Sequence, residues 1–225
     1  LLRSRGLGDV YKRQVRGRFF FSLRGPSGTS YYLTSFAPAT ASALASGQLA
    51  NANLASANLS SVNLVSADLS SANLTSTNLS GATLTSANLT GATLISANLT
   101  NANLSGSTLS RANLSGATLT GATLSNANLK IAKLKNAVLT RANLNGANLK
   151  KAVLSKAKLS GAKLVKAELK RAVLTKAKLI GANLKKADLG SAKLKKANLA
   201  SAELKRANLT KADLNGAFLK DANLK

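Results

Sequence analysis

The chain has 225 residues, 45% of them apolar but only 4% aromatic, and carries 32 Lys and Arg against seven Asp and Glu, a net charge of +25. This apolar fraction is too high for simple disorder, and the dominance of Leu and Ala favours a repeat over an ordinary globular core. The lack of Cys and His excludes disulfides, thiol catalysis and Cys/His metal sites, and no apolar run approaches the ~20 residues that span a bilayer.

Eleven of the first fourteen residues match a laboratory sequence. The eleven residues Ser4–Gln14, SRGLGDVYKRQ, are identical to the translation of a common transposon-based sequencing adapter. We interpret Leu1–Gln14 as a trace of library preparation and expect it to take no part in the fold. On this interpretation the natural N-terminus is missing.

Residues 15–48 form a low-complexity lead-in. Val15–Gly47 contains three Arg, nine Ser or Thr and no acidic residue, a composition typical of organelle transit peptides. The stretch Ser35–Pro38, SFAP, is similar to the cleavage region of plastid-targeting presequences. The alternatives are a disordered linker and an N-terminal cap that covers the first coil with its aromatic residues. Localisation is cytoplasmic by default and organellar if the segment targets the chain.

Residues 49–225 form one uninterrupted five-residue repeat. From Leu44 to Leu224 every fifth residue is Leu, 37 times in succession. The position two residues before each Leu is Ala from Ala52 to Ala222, except for Val62, Thr77 and Ser107. The unit is therefore Ala-x-Leu-x-x, with Asn favoured at its middle position.

A five-residue period fits neither a helix nor a flat strand. Five residues rotate an α-helix by about 500°, so successive Leu residues would scatter around it, and an odd period sends successive Leu to opposite faces of a strand. A short extended segment followed by a two-residue turn instead points every Ala and Leu inward. Gly is frequent at the second turn position, for example Gly81, Gly91 and Gly116, where it adopts a positive φ without penalty. The pattern predicts an all-β solenoid of stacked coils.

The unit resembles the pentapeptide repeat family, whose consensus is Ala-Asp/Asn-Leu-x-x. Ala52–Ser56 and Ala187–Ser191 show the similarity, which is sustained over some 35 units and essentially all of residues 50–225. The resemblance implies a right-handed quadrilateral β-helix with one pentapeptide per side and about nine coils. At about 4.8 Å per coil the rod would be about 40 Å long.

The charge of the array is concentrated in its second half. Residues 50–129 carry one Arg and one Asp, whereas residues 130–225 carry 24 basic and five acidic residues. This asymmetry favours an acidic partner, namely nucleic-acid backbone, an anionic surface or an acidic protein. Exposed Lys also serves solubility and blocks edge-to-edge pairing, which is the alternative explanation.

With four units per coil, residues twenty apart stack one coil apart and the basic residues form columns. Assigning the 24 basic residues to the four sides by phase gives 7, 4, 7 and 6, so the charge is expected to wrap the rod. The candidate polyanion contacts are Lys150, Lys151, Lys156, Lys166, Lys170, Arg171, Lys176, Lys185, Lys186, Lys195, Lys196, Lys205 and Arg206.

The predicted function is that of a non-enzymatic structural or interaction module. The acidic residues of the array are expected on the surface at regular spacings that do not converge, so no catalytic site and no cofactor is predicted. The resemblance implies a second possibility, because the best-known members of the family mimic DNA and protect DNA gyrase, although that function requires a negative surface. A minor alternative is an ice-binding solenoid, suggested by Thr83-Leu84-Thr85 and Thr118-Leu119-Thr120.

The repeat continues to Lys225 without a polar covering of the kind that solenoid ends need. We therefore expect either that Leu219 and Leu224 are covered by another copy, through end-to-end self-association, or that the array continues in a longer protein.

Overall fold

The computed structural model describes the backbone of residues 10–15, 18–24 and 30–34 and the full structure of residues 47–225. Strands β1 (Val10–Val15), β2 (Arg18–Arg24) and β3 (Ser30–Thr34) form an antiparallel sheet in the order β1-β2-β3. Val10 pairs with Leu23, and Phe20 pairs with Thr34. β1 includes the last five residues of the adapter-like segment. The targeting and capping hypotheses for the lead-in concern residues and side chains that lie outside the described part.

Residues 47–225 form a solenoid with four sides. The middle residue of each unit pairs in parallel with the residue twenty positions later, from Gln48 with Asp68 to Glu203 with Asn223. Twenty residues therefore make one coil of four units, and the array has nine coils. We number the sides 1 to 4 by their first middle residues, Gln48, Asn53, Asn58 and Asn63. Each corner, named for the two sides it joins, consists of the two residues that follow Leu.

Every unit turns the chain in the same way. The N–H of the Ala position donates to the carbonyl of the Leu three residues earlier, as in Ala72 to Leu69 at 3.1 Å. The second corner residue has a positive φ in all 35 units between Asn51 and Asp221. Of the two corner residues only the second has a positive φ, and the hydrogen bond from the Ala position to Leu closes the turn. These two features define a type II turn. The turn that the sequence predicts is confirmed, but only nine of the 35 positions hold Gly.

Backbone hydrogen bonds join each coil to the next. In each internal unit the N–H groups of Leu and of the second corner residue donate to the following coil, and that of the middle residue donates to the preceding coil. The N–H of the first corner residue is free for a side-chain acceptor. In unit 72–76 the bonds between coils are Asn73 to Ala52 (2.9 Å), Leu74 to Thr93 (2.7 Å) and Ser76 to Ile95 (2.9 Å).

The interior consists of stacked Leu and Ala. Every Leu from Leu49 to Leu204 is at most 2% exposed, and burying one such side chain contributes on the order of 2 kcal/mol. In the first coil Leu49, Leu54 and Leu59 are at most 1% exposed, whereas Ala52 is partly buried and Ala57 is 9% exposed. In the last coil Leu209, Leu214 and Leu219 are partly buried and Leu224 is 53% exposed. None of the described residues forms a helix of the length and apolarity that a bilayer crossing requires.

Candidate polyanion-binding face

Side 2 and its two corners carry a continuous basic surface in coils five to eight. We call this surface the basic face; it comprises residues 130–136, 150–156, 170–176 and 190–196, which the twenty-residue pairing stacks one above the other. Each of the four segments contributes three basic residues and no acidic residue. The twelve are Lys130, Lys133, Lys135, Lys150, Lys151, Lys156, Lys170, Arg171, Lys176, Lys193, Lys195 and Lys196.

The opposite side of the same coils is less basic. Side 4 and its corners, residues 140–146, 160–166, 180–186 and 200–206, carry seven basic residues and Glu203. The net charge is therefore +12 on the basic face and +6 opposite it. Positive charge is thus present on both sides, but unequally. The count by phase does not show this difference, because a corner residue borders two sides and the count assigns it to one.

The thirteen candidate contacts fall into two groups. Eight lie on the basic face, and the columns predicted for Lys156, Lys176 and Lys196 and for Lys150 and Lys170 are present there. The other five lie at corner 4–1, on the far side of the solenoid: Lys166, Lys185, Lys186, Lys205 and Arg206. The candidate set omits Lys130, Lys133, Lys135 and Lys193. Counting the corners on both sides of each strand would have found them.

Two of the thirteen candidates are engaged in ion pairs. The Nζ of Lys150 lies 2.8 Å from Glu168 Oε2, and that of Lys185 lies 2.9 Å from Glu203 Oε2. These side chains are about two-fifths exposed, and such surface pairs contribute about 0–1 kcal/mol. The other eleven candidates are exposed. The charged groups of these eleven residues can therefore contact a partner without first breaking an ion pair within residues 47–225.

Ten of the 24 basic residues of the second half occupy the turn position with positive φ. Lys156, Lys176 and Lys196 have φ values of 59°, 58° and 56°. The same column in the first half holds Ser56, Ser76 and Ser96. The left-handed region costs an L-residue with a long side chain about 1–2 kcal/mol, whereas Gly and Asn adopt it readily. Lys placed for solubility alone would fit the first corner position, where φ is not positive.

The acidic residues do not converge. Asp68, Glu168 and Asp188 lie on side 1, Glu203 on side 4, Asp213 on side 2 in the last coil, and Asp221 at corner 3–4. Within residues 47–225 no three of the acidic residues lie close enough together to hold a metal ion. The Asp68 carboxylate accepts hydrogen bonds from the N–H of Ser70 and from Asn88, both at 3.0 Å.

The two Thr-Leu-Thr units lie on different sides. Thr83 pairs with Asn63 and Asn103 on side 4, whereas Thr118 pairs with Asn98 and Val138 on side 3. Ice binding by β-solenoids requires such pairs to stack on one flat face, so this arrangement gives the minor alternative no support.

Sequence comparison identifies the family of this solenoid. The pattern described as pentapeptide repeats matches residues 48–86, 87–126, 97–136, 122–161, 152–190 and 187–225. The chain therefore belongs to the pentapeptide repeat family, as its Ala-Asn-Leu units predict. Comparison with curated protein sequences finds no match.

Solved structures of the same family are similar to this chain. HetL, a pentapeptide repeat protein involved in heterocyst differentiation regulation in the cyanobacterium Nostoc sp. strain PCC 7120, is 36% identical; the match covers 77% of this chain and 87% of HetL, with a TM-score of 0.32. QnrB1, a plasmid-mediated fluoroquinolone resistance protein, is 22% identical over 69% of this chain and 78% of its own, with a TM-score of 0.49.

The chain is thus an all-β, right-handed quadrilateral β-helix of the pentapeptide repeat family and an interaction module, as predicted. Proteins of this family are generally non-catalytic.

Proposed function

We propose that this protein acts without catalysis and that its basic face binds the phosphate backbone of a nucleic acid. The observation that carries the proposal is the stacking of twelve basic residues and no acidic residue on one side of four consecutive coils. A linear polyanion parallel to the solenoid axis reaches the columns at corners 1–2 and 2–3 together. At about 4.8 Å per coil the four coils present about 15–20 Å of positive surface to it.

Binding should be independent of base sequence. Phe218 is the only aromatic residue in the array, and it lies on side 3 in the last coil, so the basic face offers no platform for base stacking. The contacts are therefore directed to phosphates, and affinity falls steeply with salt because bound counterions are released.

DNA mimicry receives no support from the surface. A mimic presents negative charge where DNA presents phosphates, but here residues 130–225 have 24 basic and five acidic side chains. The similarity to QnrB1, at 22% identity, concerns the fold alone.

The test compares two triple variants of the full 225-residue chain. Lys156→Ser/Lys176→Ser/Lys196→Ser removes the corner 2–3 column from the basic face, and Lys166→Ser/Lys186→Ser/Arg206→Ser removes the equivalent column at corner 4–1. Both lower the net charge from +25 to +22, and both act at positions of positive φ. Ser occupies this position in the first half of both columns, at Ser76 and Ser86 for example.

Binding of a fluorescent single-stranded oligonucleotide of about 30 bases is measured between about 50 and 300 mM salt. The basic-face variant should bind at least about tenfold more weakly, and its log–log salt slope should be smaller by about 2, as expected for three lost phosphate contacts. The corner 4–1 variant should change affinity by less than about threefold, since its lysines lie away from the contact. Equal losses in both variants, or no binding by the wild-type chain at the lowest salt, would refute the proposal.

A further inference from the structure

The first corner residue of most units donates its backbone N–H to a side chain two residues earlier. The acceptor is Oδ1 of the Asn or Asp at the middle position, at distances from 2.9 Å (Gly190 to Asp188) to 3.3 Å (Ala55 to Asn53). This bond uses the one N–H of each unit that neither closes the turn nor joins two coils. The unit is thus built to place an oxygen about 3 Å from this N–H.

On the basic face this arrangement is interrupted in four consecutive coils. The middle residues there are Lys133, Val153, Val173 and Lys193, none of which has a side-chain acceptor. Within residues 47–225 the N–H groups that follow them, those of Lys135, Ser155, Thr175 and Lys195, make no hydrogen bond. These four N–H groups stack in one column at corner 2–3.

We infer that this column of backbone N–H groups binds the non-bridging phosphate oxygens of the nucleic-acid backbone. The inference rests on the function proposed above and names the atoms that make the directional contacts. Each phosphate oxygen takes the position that the Asn or Asp oxygen has in the other units. Lys156, Lys176 and Lys196, whose N–H groups bond to the next coil, supply the charge beside the column.

Corner 3–4 provides an internal comparison. It has a similar column of N–H groups without an acceptor within residues 47–225, at Thr120, Thr140, Ser160 and Ile180. Only Arg141, Lys158 and Lys178 lie in the units around that column, whereas seven basic residues lie in the units around the column at corner 2–3. At corners 1–2 and 4–1 of the described solenoid, units with Asn or Asp supply an acceptor and so interrupt the column of free N–H groups. An uninterrupted column of free N–H groups and a high density of basic residues therefore coincide only at corner 2–3. The phosphate contacts therefore belong to the basic face.

The test supplies the missing acceptor from the protein itself. The double variant Val153→Asn/Val173→Asn gives the N–H groups of Ser155 and Thr175 an internal partner without changing the net charge. It should bind the same oligonucleotide about tenfold more weakly, with an unchanged salt slope because no phosphate loses a Lys. Asn is the commonest middle residue of the array, so the variant is expected to fold, which circular dichroism verifies.

Two controls isolate the effect. Thr118→Asn/Val138→Asn supplies the same acceptor to two N–H groups at corner 3–4 and should leave affinity within about twofold. Val153→Thr/Val173→Thr makes these positions polar without supplying an acceptor. Thr83 is a natural example of Thr at the middle position, and the N–H of Thr85 that follows it makes no hydrogen bond within residues 47–225. The Thr variant should therefore bind like the wild type.

The outcomes separate the two proposals. Wild-type affinity of the Val153→Asn/Val173→Asn variant would overturn the inference and leave the function of the basic face standing, whereas no binding by the wild-type chain would overturn both. An equal loss in the Thr variant would show that the Val side chains, and not the N–H groups, make the contact, and would also overturn the inference.

Discussion

Inside the solenoid, the hydroxyl of Thr77 donates a 2.7 Å hydrogen bond to the carbonyl oxygen of Leu54, 23 residues earlier and one coil away. Thr77 is fully buried at a position that is Ala in nearly every unit. The Leu54 carbonyl also accepts the N–H of Ala57 at 3.1 Å, so it keeps a partner whether or not the hydroxyl is present. The narrow interior therefore limits this position by size more strongly than by polarity.

Replacing Thr77 by Val should change the free energy of unfolding by less than about 1 kcal/mol, because no buried acceptor is left without a partner. Replacing it by Leu should destabilise the chain by about 1–3 kcal/mol, because the added methylene must displace Leu side chains that are fully buried. Urea denaturation of both variants measures the difference. Similar losses for Val and Leu would contradict a size limit.

Ile131 is the one β-branched residue among the 35 corner positions of positive φ, at 64°. Its side chain is 40% exposed and gains little from burial. The left-handed region is a genuine outlier for β-branched residues, whereas Asn tolerates it. Ile131→Asn should therefore raise the free energy of unfolding by about 1 kcal/mol. Ile95→Asn, at a first corner position with ordinary φ, serves as the control and should stay within about 0.5 kcal/mol of the wild type. An equal gain in the free energy of unfolding for both variants would show that the effect comes from removing exposed apolar surface and not from the backbone conformation of Ile131.

The N–H and hydroxyl of Ser70, with a further contribution from Asn88, hold the pKa of Asp68 below its usual 3.8. A carboxyl group whose pKa is lower in the folded state stabilises the fold above its unfolded pKa. This contribution is lost as pH falls through the lower folded value. The wild-type chain should therefore lose stability below a pH of about 4 more steeply than Asp68→Asn, whose amide oxygen accepts the same N–H without titrating. Unfolding curves at several pH values compare the slopes; parallel slopes would show that the Asp68 hydrogen bonds are not maintained in solution.

The stacked Lys columns should make stability depend on salt. Neighbouring like charges one coil apart repel by about half a kcal/mol per pair at low ionic strength, and salt screens them. The midpoint of urea unfolding should rise with sodium chloride, and it should rise less for Lys156→Ser/Lys176→Ser/Lys196→Ser. Val138→Asn, which leaves the charge unchanged, should follow the wild type. Identical salt responses in the triple variant and the wild type would show that the side chains spread far enough apart to avoid one another.

The sequence predicts the interior of this protein well and its surface less completely. The period of five directs each Ala and Leu inward, and the frequency of Gly after Leu predicts the positive φ of the turn. The resemblance to a family, and not the period, supplied the four sides. With the sides known, the columns follow by counting in steps of twenty, and Lys156, Lys176 and Lys196 stack as predicted.

Two surface properties were not predicted, for physical reasons. The unequal charge of sides 2 and 4 depends on corner residues such as Lys151 and Lys156, which face both neighbouring sides and cannot be assigned to one by phase. The free N–H groups depend on which backbone donor remains once the turn and the coil contacts are made. The sequence shows that Val173 replaces Asn, but only the hydrogen-bond pattern shows that Thr175 thereby loses its acceptor.

The pairing of every middle residue with the one twenty positions later also limits how the length of this array can change. Insertion or deletion of one unit preserves the inward direction of every Ala and Leu, yet it moves all later units to the adjacent side and divides the basic face at that point. Only a change of four units, such as duplication of 150–169, lengthens the face by one coil and keeps the columns aligned. If selection maintains the basic face, the lengths of related arrays should therefore differ by multiples of twenty residues.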